Sequence, residues 1–267
     1  MDRSQHFTTF RQMHHDGILV LANAWDAGTA RLIESLGARA IATTSAGVAW
    51  ANGYADGDLL PIQRLLSTVT GILDAIRVPL TVDIEGGYSD DPNAVAELVT
   101  QLADMGVAGI NLEDGAAEPQ LLCAKIDAIK SACTRRGTDV FINARTDVYL
   151  RRLAPAEARA DKTLERETLY RAAGADGLFV PGVADRADIA AIVSGASLPL
   201  NVLARAQLPG LAELQSWGVR RLSAGSDIAE SAYRRVSVLA GDFLRDGLSA
   251  PLSADAMPYP ELNALFA

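Results

Sequence analysis

"AVAELVTQLADMGVAGINLEDG", residues 94–115, reads as one helix, one turn and one strand in a single sweep. The spacing predicts a helix over 94–105, Gly106 sits where a left-handed residue ends it, and a buried β-run over 109–113 closes in Glu113 and Asp114. The same sentence is repeated along the chain. "SLGARA", "AAGADG" and "SWGVRR" place Gly37, Gly174 and Gly218 at equivalent helix ends before the next strand. Reading outward gives strands near 19–24, 40–44, 80–84, 109–113, 140–144, 177–180, 200–203 and 221–224, and helices near 27–36, 62–76, 94–105, 121–135, 155–173, 187–193, 211–217 and 227–244. Eight alternating steps predict parallel strands with right-handed crossovers and an α/β fold, a (β/α)8 TIM barrel, with a doubly wound sheet as the alternative. No linker or low-complexity tract divides the chain, so one domain over 1–267 is expected. The tail after Gly247 carries prolines and an apolar end, suited to an arm that packs on the barrel or on a neighbouring subunit.

Composition narrows the function. With 24 Lys and Arg against 33 Asp and Glu, the formal net charge is −9, which argues against nucleic acid as a partner. Apolar runs are short, so no membrane-spanning helix is expected, and the first residues lack the apolar stretch of a secretory signal, which makes cytoplasmic the default location. Cys123 and Cys133 have neither disulfide-framework nor zinc spacing and read as structural thiols. His6, His14 and His15 all precede the first strand, so histidine acid/base chemistry in the core is not expected.

In a barrel the active site collects at the C-terminal ends of the strands. There the sequence is polar: Trp25 and Asp26, Thr44 and Ser45, Asp83 and Glu85, Glu113 and Asp114, then Arg145, Thr146 and Asp147, Asn201, and Ser223 with Ser226. Asp83, Glu85 and Glu113, on neighbouring strands, call for a compensating cation; with no histidine or thiolate to join them, Mg2+ is the expected ion. Gly86 and Gly87 let the backbone turn away and leave room for a ligand. Arg145 offers a planar cation for a carboxylate or phosphonate. Ser45, Ala46 and Gly47 read either as a plain loop or as an anion nest of backbone amides.

"NAWDAGTARLIESLGARAIATTSAGVAW", "DIEGGY", "GVAGINLEDG", "INARTDVYL", "GADGLFVPG" and "PLNVLA" together resemble the isocitrate lyase/phosphoenolpyruvate mutase superfamily, from about Asn23 to Ala229. The resemblance implies a barrel whose last helix is exchanged between subunits of a dimer, often within a homotetramer. It implies cleavage or rearrangement of C–C or P–C bonds beside a 2-oxo acid, with magnesium stabilising an enolate. By motif, Asp83 is then the direct magnesium ligand and Glu85 a ligand through water, with Glu113 in the same shell. Ser45 and the amides of Ala46 and Gly47 hold the substrate carboxylate, Arg145 its anionic end, and Asp56 of "YADGD" lies near the reacting group. Trp25, Asp26 and Asn201 line the pocket.

Lyases of this superfamily that act on isocitrate or methylisocitrate carry a Lys-Xaa-Cys-Gly-His segment on a mobile loop after the "ED" motif. Here "EDGAAEPQLLCAKIDAIK" runs almost directly into a helix, and the longer gating loop of the mutase is missing too. The expectation is therefore a magnesium-dependent lyase acting on a small anionic 2-oxo or 2-hydroxy dicarboxylate, by decarboxylation or retro-aldol cleavage through an enolate. The alternatives are a P–C bond hydrolase or mutase acting on a phosphonopyruvate-like substrate, and a 2-oxo acid binding protein with little turnover.

Overall fold

The computed structural model describes residues 5–267. Eight parallel strands form a closed barrel: β1 in two pieces, Leu19–Leu21 and Asn23–Ala24, then β2 Ile41–Thr43, β3 Leu80–Asp83, β4 Gly109–Glu113, β5 Phe141–Arg145, β6 Gly177–Val180, β7 Leu200–Leu203 and β8 Arg221–Ser223. Closure falls on β1, whose first piece pairs with β8 and whose second pairs with β2. The doubly wound alternative is excluded, because a sheet of that kind leaves two open edges.

Helices wrap the strands: α1 His6–Met13, α2 Ala27–Ser35, α3 Ser45–Ala51, α4 Ile62–Ala75, α5 Pro92–Met105, α6 Pro119–Arg136, α7 Arg159–Ala173, α8 Arg186–Gly195, α9 Leu211–Ser216, α10 Asp227–Asp246, and two short tail helices, α11 Ala250–Ser253 and α12 Tyr259–Ala264. The four glycines expected at helix ends all have positive φ, from 91° at Gly218 to 108° at Gly174, where a Cβ would be strained. Asp91 caps α5 by accepting the Asn93 amide at 2.9 Å, with Pro92 following as the first helical residue. The tail folds back on its own barrel, where Arg31 Nε donates to the Leu265 carbonyl at 2.8 Å. Among the described residues no helix is long and apolar enough to cross a membrane.

Two helices differ from the sequence reading. α1 closes the N-terminal end of the barrel: Phe10 and Met13 pack with Leu19, Leu21, Ala40 and Phe141. Gly109 has no Cβ because one would lie 2.7 Å from Phe10 Cε1. α3 begins at Ser45, so the stretch read as a loop or nest is the first turn of a helix with Thr44 as its N-cap. Ala46 to Ala49 are all buried, leaving no polar face to reveal a helical period.

His14, just after α1, stacks on Phe141 at 4.0 Å between ring centroids, 2% exposed. Its Nδ1 donates to the Phe10 carbonyl at 2.9 Å, since that oxygen can only accept, and Nε2 is left bare and without a partner. Burial, with the Arg221 charge next in weight, drives the imidazole from 6.5 down to about 3. The unfolded chain therefore binds a proton between about pH 3 and 6.5 that the folded chain refuses. The contribution is complete above 6.5 and is lost as pH falls. Comparing wild type with His14→Gln by urea unfolding, the difference in stability is expected to shrink by about 1.4 kcal/mol per pH unit between pH 6 and 5. A constant difference over that window would show that His14 titrates freely.

Candidate active site

Strand register assembles the site. β3 and β4 place Asp83 beside Asn111, while β4 and β5 place Asn111 beside Asn143 and Glu113 beside Arg145. Side chains alternate along a strand, so each strand-end residue has an inward-facing companion two positions back. Glu113 and Asn111, Arg145 and Asn143, Leu203 and Asn201, and Ser223 and Arg221 are such pairs. They give the barrel a polar interior under its mouth.

That interior forms one network. Arg221, 1% exposed, donates from Nη2 to Asn111 Oδ1 at 3.1 Å, and Asn143 Nδ2 donates to the same oxygen at 2.9 Å. Asn111 Nδ2 in turn donates to Asp83 Oδ2 at 3.0 Å. Asp83 Oδ1 accepts the Glu85 amide at 3.1 Å, and the Asp83 amide donates to Thr43 Oγ1 at 2.8 Å. The Asp83 carboxylate is thus fixed from below through one intermediary, Asn111, with a buried guanidinium at the far end. Burial lowers Arg221 to about 9, opposed by the charge of Asp83.

Asp83 lines a cavity of about 180 Å³ at the C-terminal mouth, together with Asn23, Ser45, Ala46, Asp56, Asn111 and Arg145 on one side. The expected residues Ser45, Ala46, Asp56, Asp83 and Arg145 do meet here. The Ser45 hydroxyl hydrogen-bonds to Asp56, whose carboxyl is pushed upward by burial and by the charge of Asp83. Glu85 and Glu113 border an adjoining cavity of about 440 Å³, which is also lined by Gly115 and Ala117 of the five-residue link between β4 and α6.

Several expected pocket residues are engaged elsewhere. Asp26 Oδ1 accepts the Thr29 amide at 2.7 Å and the Thr29 hydroxyl at 2.8 Å, a capping box that starts α2 and takes Asp26 out of the cavity lining. Trp25 lies behind α3, where a Cβ on Gly47 would come within 2.9 Å of its Cβ and 2.7 Å of Thr44 Cγ2. Gly47 therefore serves close packing, not the cavity wall. Asn201 is 1% exposed, one layer deeper, and its Oδ1 accepts from the Ser223 hydroxyl at 3.2 Å.

Arg145 is ringed by carboxylates. Its Nη1 meets Glu113 Oε2 at 2.5 Å, while Nε and Nη2 donate to Asp147 Oδ1 and Oδ2 at 2.7 and 3.1 Å. Asp147 is held in turn: its amide donates to Asp114 Oδ1 at 3.0 Å, and Asp114 Oδ2 accepts from Arg166 and Tyr170. Even so, burial pushes Glu113 up to about 8 against the pull of Arg145, with Asp83, Asp147 and Glu85 adding repulsion. Glu85 rises to about 7, again chiefly by burial, although its Oε2 accepts the amides of Gly57 and Asp58. Tyr88 OH donates to Glu85 Oε1 at 3.2 Å and the Tyr88 amide to Asp58 Oδ1 at 2.9 Å. Asp58, Glu85 and Tyr88 all have left-handed backbone, φ 54° to 59°, so the loop carrying Asp56 is tied to the end of β3 by three strained residues bonded to one another.

This donor set fits a hard, oxygen-seeking divalent ion better than any other. Among the described residues, no three carboxylate, imidazole or thiolate side chains close around one point. The engagement of Glu85 with loop amides and of Glu113 with Arg145 explains that spacing. It suits magnesium, which keeps several waters and needs one or two direct carboxylates. Of the three, Glu113 meets Arg145 and Glu85 is taken up by the Gly57 and Asp58 amides and the Tyr88 hydroxyl, while Asp83 accepts only from Asn111 and the Glu85 amide, and a cation beside it would draw the two raised carboxyls toward their ionised form.

The family model for phosphoenolpyruvate phosphomutase matches residues 10–244. The chain is 40% identical over 267 residues to the uncharacterized protein Rv1998c of Mycobacterium tuberculosis H37Rv, covering 96% of this chain and 95% of that one. A crystal structure from Burkholderia cenocepacia J2315, provisionally described as a phosphonomutase, superposes with a TM-score of 0.83 at 39% identity, covering 90% of this chain and 99% of that one. An oxaloacetate decarboxylase of Bradyrhizobium sp. ORS 278 is 30% identical over 225 residues, covering 79% of this chain and 74% of that one.

Proposed function

This chain belongs to the phosphoenolpyruvate mutase/isocitrate lyase superfamily, and from that premise we propose that it is a magnesium-dependent lyase that breaks a C–C bond of a small 2-oxo or 2-hydroxy dicarboxylate through an enolate. The observation that carries this reading is Asp83, held by Asn111 at the mouth of a small cavity and flanked by carboxylates that burial has made reluctant to ionise. The resemblance in sequence to oxaloacetate decarboxylases supports the reaction class. The reading takes residues 1–267 as one domain.

Asp83 would hold the ion directly, with Glu85 and Glu113 acting through water. A bound magnesium supplies positive charge for the oxygen that becomes an enolate. The remaining work falls to the chain. Ser45 and the start of α3 receive the substrate carboxylate, while Asn111 holds Asp83 in place from below. In decarboxylation the electron pair of the C–C bond passes into the enolate as CO2 leaves; in retro-aldol cleavage Asp56 as carboxylate would first take the proton of the 2-hydroxyl, so that a carbonyl fragment can leave and the electron pair passes into the enolate. Asp56 in its acid form then returns a proton to the carbon, and its upward shift keeps that proton available at higher pH than for an exposed aspartate. Arg145, its plane fixed by Asp147 and Glu113, orients the head-group carboxylate on the side of Ser45.

Exposed Tyr233, Val236, Phe243 and Leu244 on α10 support a homo-oligomer, dimer or tetramer, in which this helix is covered by or exchanged with a partner. A second reading, P–C bond cleavage or rearrangement, is favoured by the description of the 39% identical structure. Proton and phosphorus NMR of the protein with Mg2+ and oxaloacetate, citramalate, isocitrate, methylisocitrate or phosphonopyruvate separates the two. The proposal expects pyruvate or a related 2-oxo acid from a C–C substrate, above the rate of free Mg2+ acting on oxaloacetate. Turnover of phosphonopyruvate alone would replace it with the second reading; magnesium-dependent binding of every acid without product would make the chain a binding protein.

A further inference from the structure

We propose that Arg205 anchors the distal carboxylate of the substrate, and that Leu150, Phe179, Pro181 and Leu203 take an aliphatic substituent on the carbon between the two acid groups. The inference rests on the reading of this cavity as a 2-oxo or 2-hydroxy acid site. Two cations line the cavity, Arg145 and Arg205. All three guanidinium nitrogens of Arg145 already face Glu113 or Asp147, so its charge is matched before any substrate arrives. Arg205 is different. Its Nη1 donates to its neighbour's carbonyl, Ala204 O, at 2.8 Å, and reaches Asp227 at 3.4 Å, a contact with a side chain 56% exposed. An ion pair that long and that wet adds little, and most of the fork is left to bind a carboxylate.

The cavity is also two-sided. The wall built from β1 to β5 is polar, with Asn23, Ser45, Asp83 and Asn111. The opposite wall comes from the loop after β5 and from the ends of β6 and β7, and it presents Leu150, Phe179, Pro181 and Leu203. Leu150 is 45% exposed, a large apolar side chain at the edge of a polar site with its own backbone packed on Gly182. Such a wall rewards a methyl group, with the hydroxyls of Ser223 and Ser226 lining the cavity beyond Leu203. A small dicarboxylate with an alkyl-bearing middle carbon satisfies both walls and the second cation.

The test uses three stable probes with Mg2+: lactate, which has the head group alone; malate, which adds the distal carboxylate; and 3-methylmalate, which adds the methyl. Affinities are read by calorimetry or ligand NMR, or as KM where a probe is cleaved. Wild type is expected to prefer malate to lactate by 10-fold or more, and 3-methylmalate by about a further fourfold, the gain for one buried carbon. Arg205→Gln should bring malate down to the level of lactate, keep 3-methylmalate about fourfold above malate and leave lactate unchanged, and Arg205→Lys should recover part of the loss. Leu203→Asn should remove the methyl increment and keep the malate preference. Equal affinity of wild type for lactate and malate overturns the inference while the acid-site reading stands. So does an Arg205→Gln variant that weakens lactate and malate alike, or neither. If none of the three binds in the presence of Mg2+, the acid-site reading itself fails, and the role of Arg205 falls with it.

Discussion

Arg145→Met is expected to abolish turnover and to destabilise the fold by about 3–5 kcal/mol, the usual consequence of stripping the partner from buried charges. The guanidinium sits between Glu113 and Asp147, and the Asp147 side chain is wholly buried. Asp147 keeps a contact with Arg151 at 2.9 Å, but Glu113 is left among Asp83, Asp147 and Glu85 with nothing to oppose them. Since burial already holds Glu113 at about 8, the variant can escape part of its penalty by protonating that group. The sign follows. Glu113 has a folded pKa raised above its unfolded value, so its protonated form favours the folded state, and the deficit of the variant should be smaller at pH 6 than at pH 9. Urea unfolding at the two pH values checks this, and a deficit independent of pH would show that Glu113 is not the group left exposed by the change. Arg145→Lys should not rescue activity, because a point charge on a flexible stem cannot bridge two carboxylates in one plane.

Asp83→Asn is the second large effect, with a different signature. Turnover should fall by at least 10³-fold, about 4 kcal/mol of lost transition-state stabilisation, because the group expected to hold the ion has lost its charge. The fold should barely respond. The asparagine oxygen keeps one of the two bonds that Asp83 accepts on separate oxygens, from Asn111 or from the Glu85 amide, and the loss of the other is offset as removing one charge relieves the repulsion on Glu113 and Asp56. The melting temperature in EDTA is therefore expected to match wild type within a few degrees, while the increment that Mg2+ gives wild type disappears. An Asp83→Asn protein that still gains stability from Mg2+ would place the ion elsewhere.

Much of this was readable from the chain. Repeated glycines at helix ends and β-runs closing in polar residues were enough for the barrel, and Asp56, Asp83, Ser45, Ala46 and Arg145 do share one cavity. What escaped the reading has physical reasons. α3 is buried from Ala46 to Ala49, and α1 is a short aromatic plug whose partner, Phe141, lies far along the sequence. Asp26 looked like a pocket residue, but its position just before an apolar helix with a threonine three places on is also the signature of a cap. Arg205 stands past the end of β7 and reads as an ordinary solvated arginine. Arg221 sits in "RRLSAG", where one arginine faces out and the next faces in, and the sequence alone does not say which. Counting back two from each strand-end residue finds Asn111, Asn143, Asn201 and Arg221 together. That period was present in the sequence all along.

The most direct measurement of the central claim is exchange of the pyruvate methyl protons in D2O, followed by proton NMR with Mg2+, because it reports enolate formation whatever the natural substrate is. The account predicts that the methyl signal decays faster with the protein and Mg2+ than with Mg2+ alone, and that EDTA or Asp83→Asn restores the background rate. Binding of pyruvate that depends on Mg2+ while the methyl signal persists at the background rate would contradict it: the site would hold a 2-oxo acid without making the enolate on which the proposed chemistry depends.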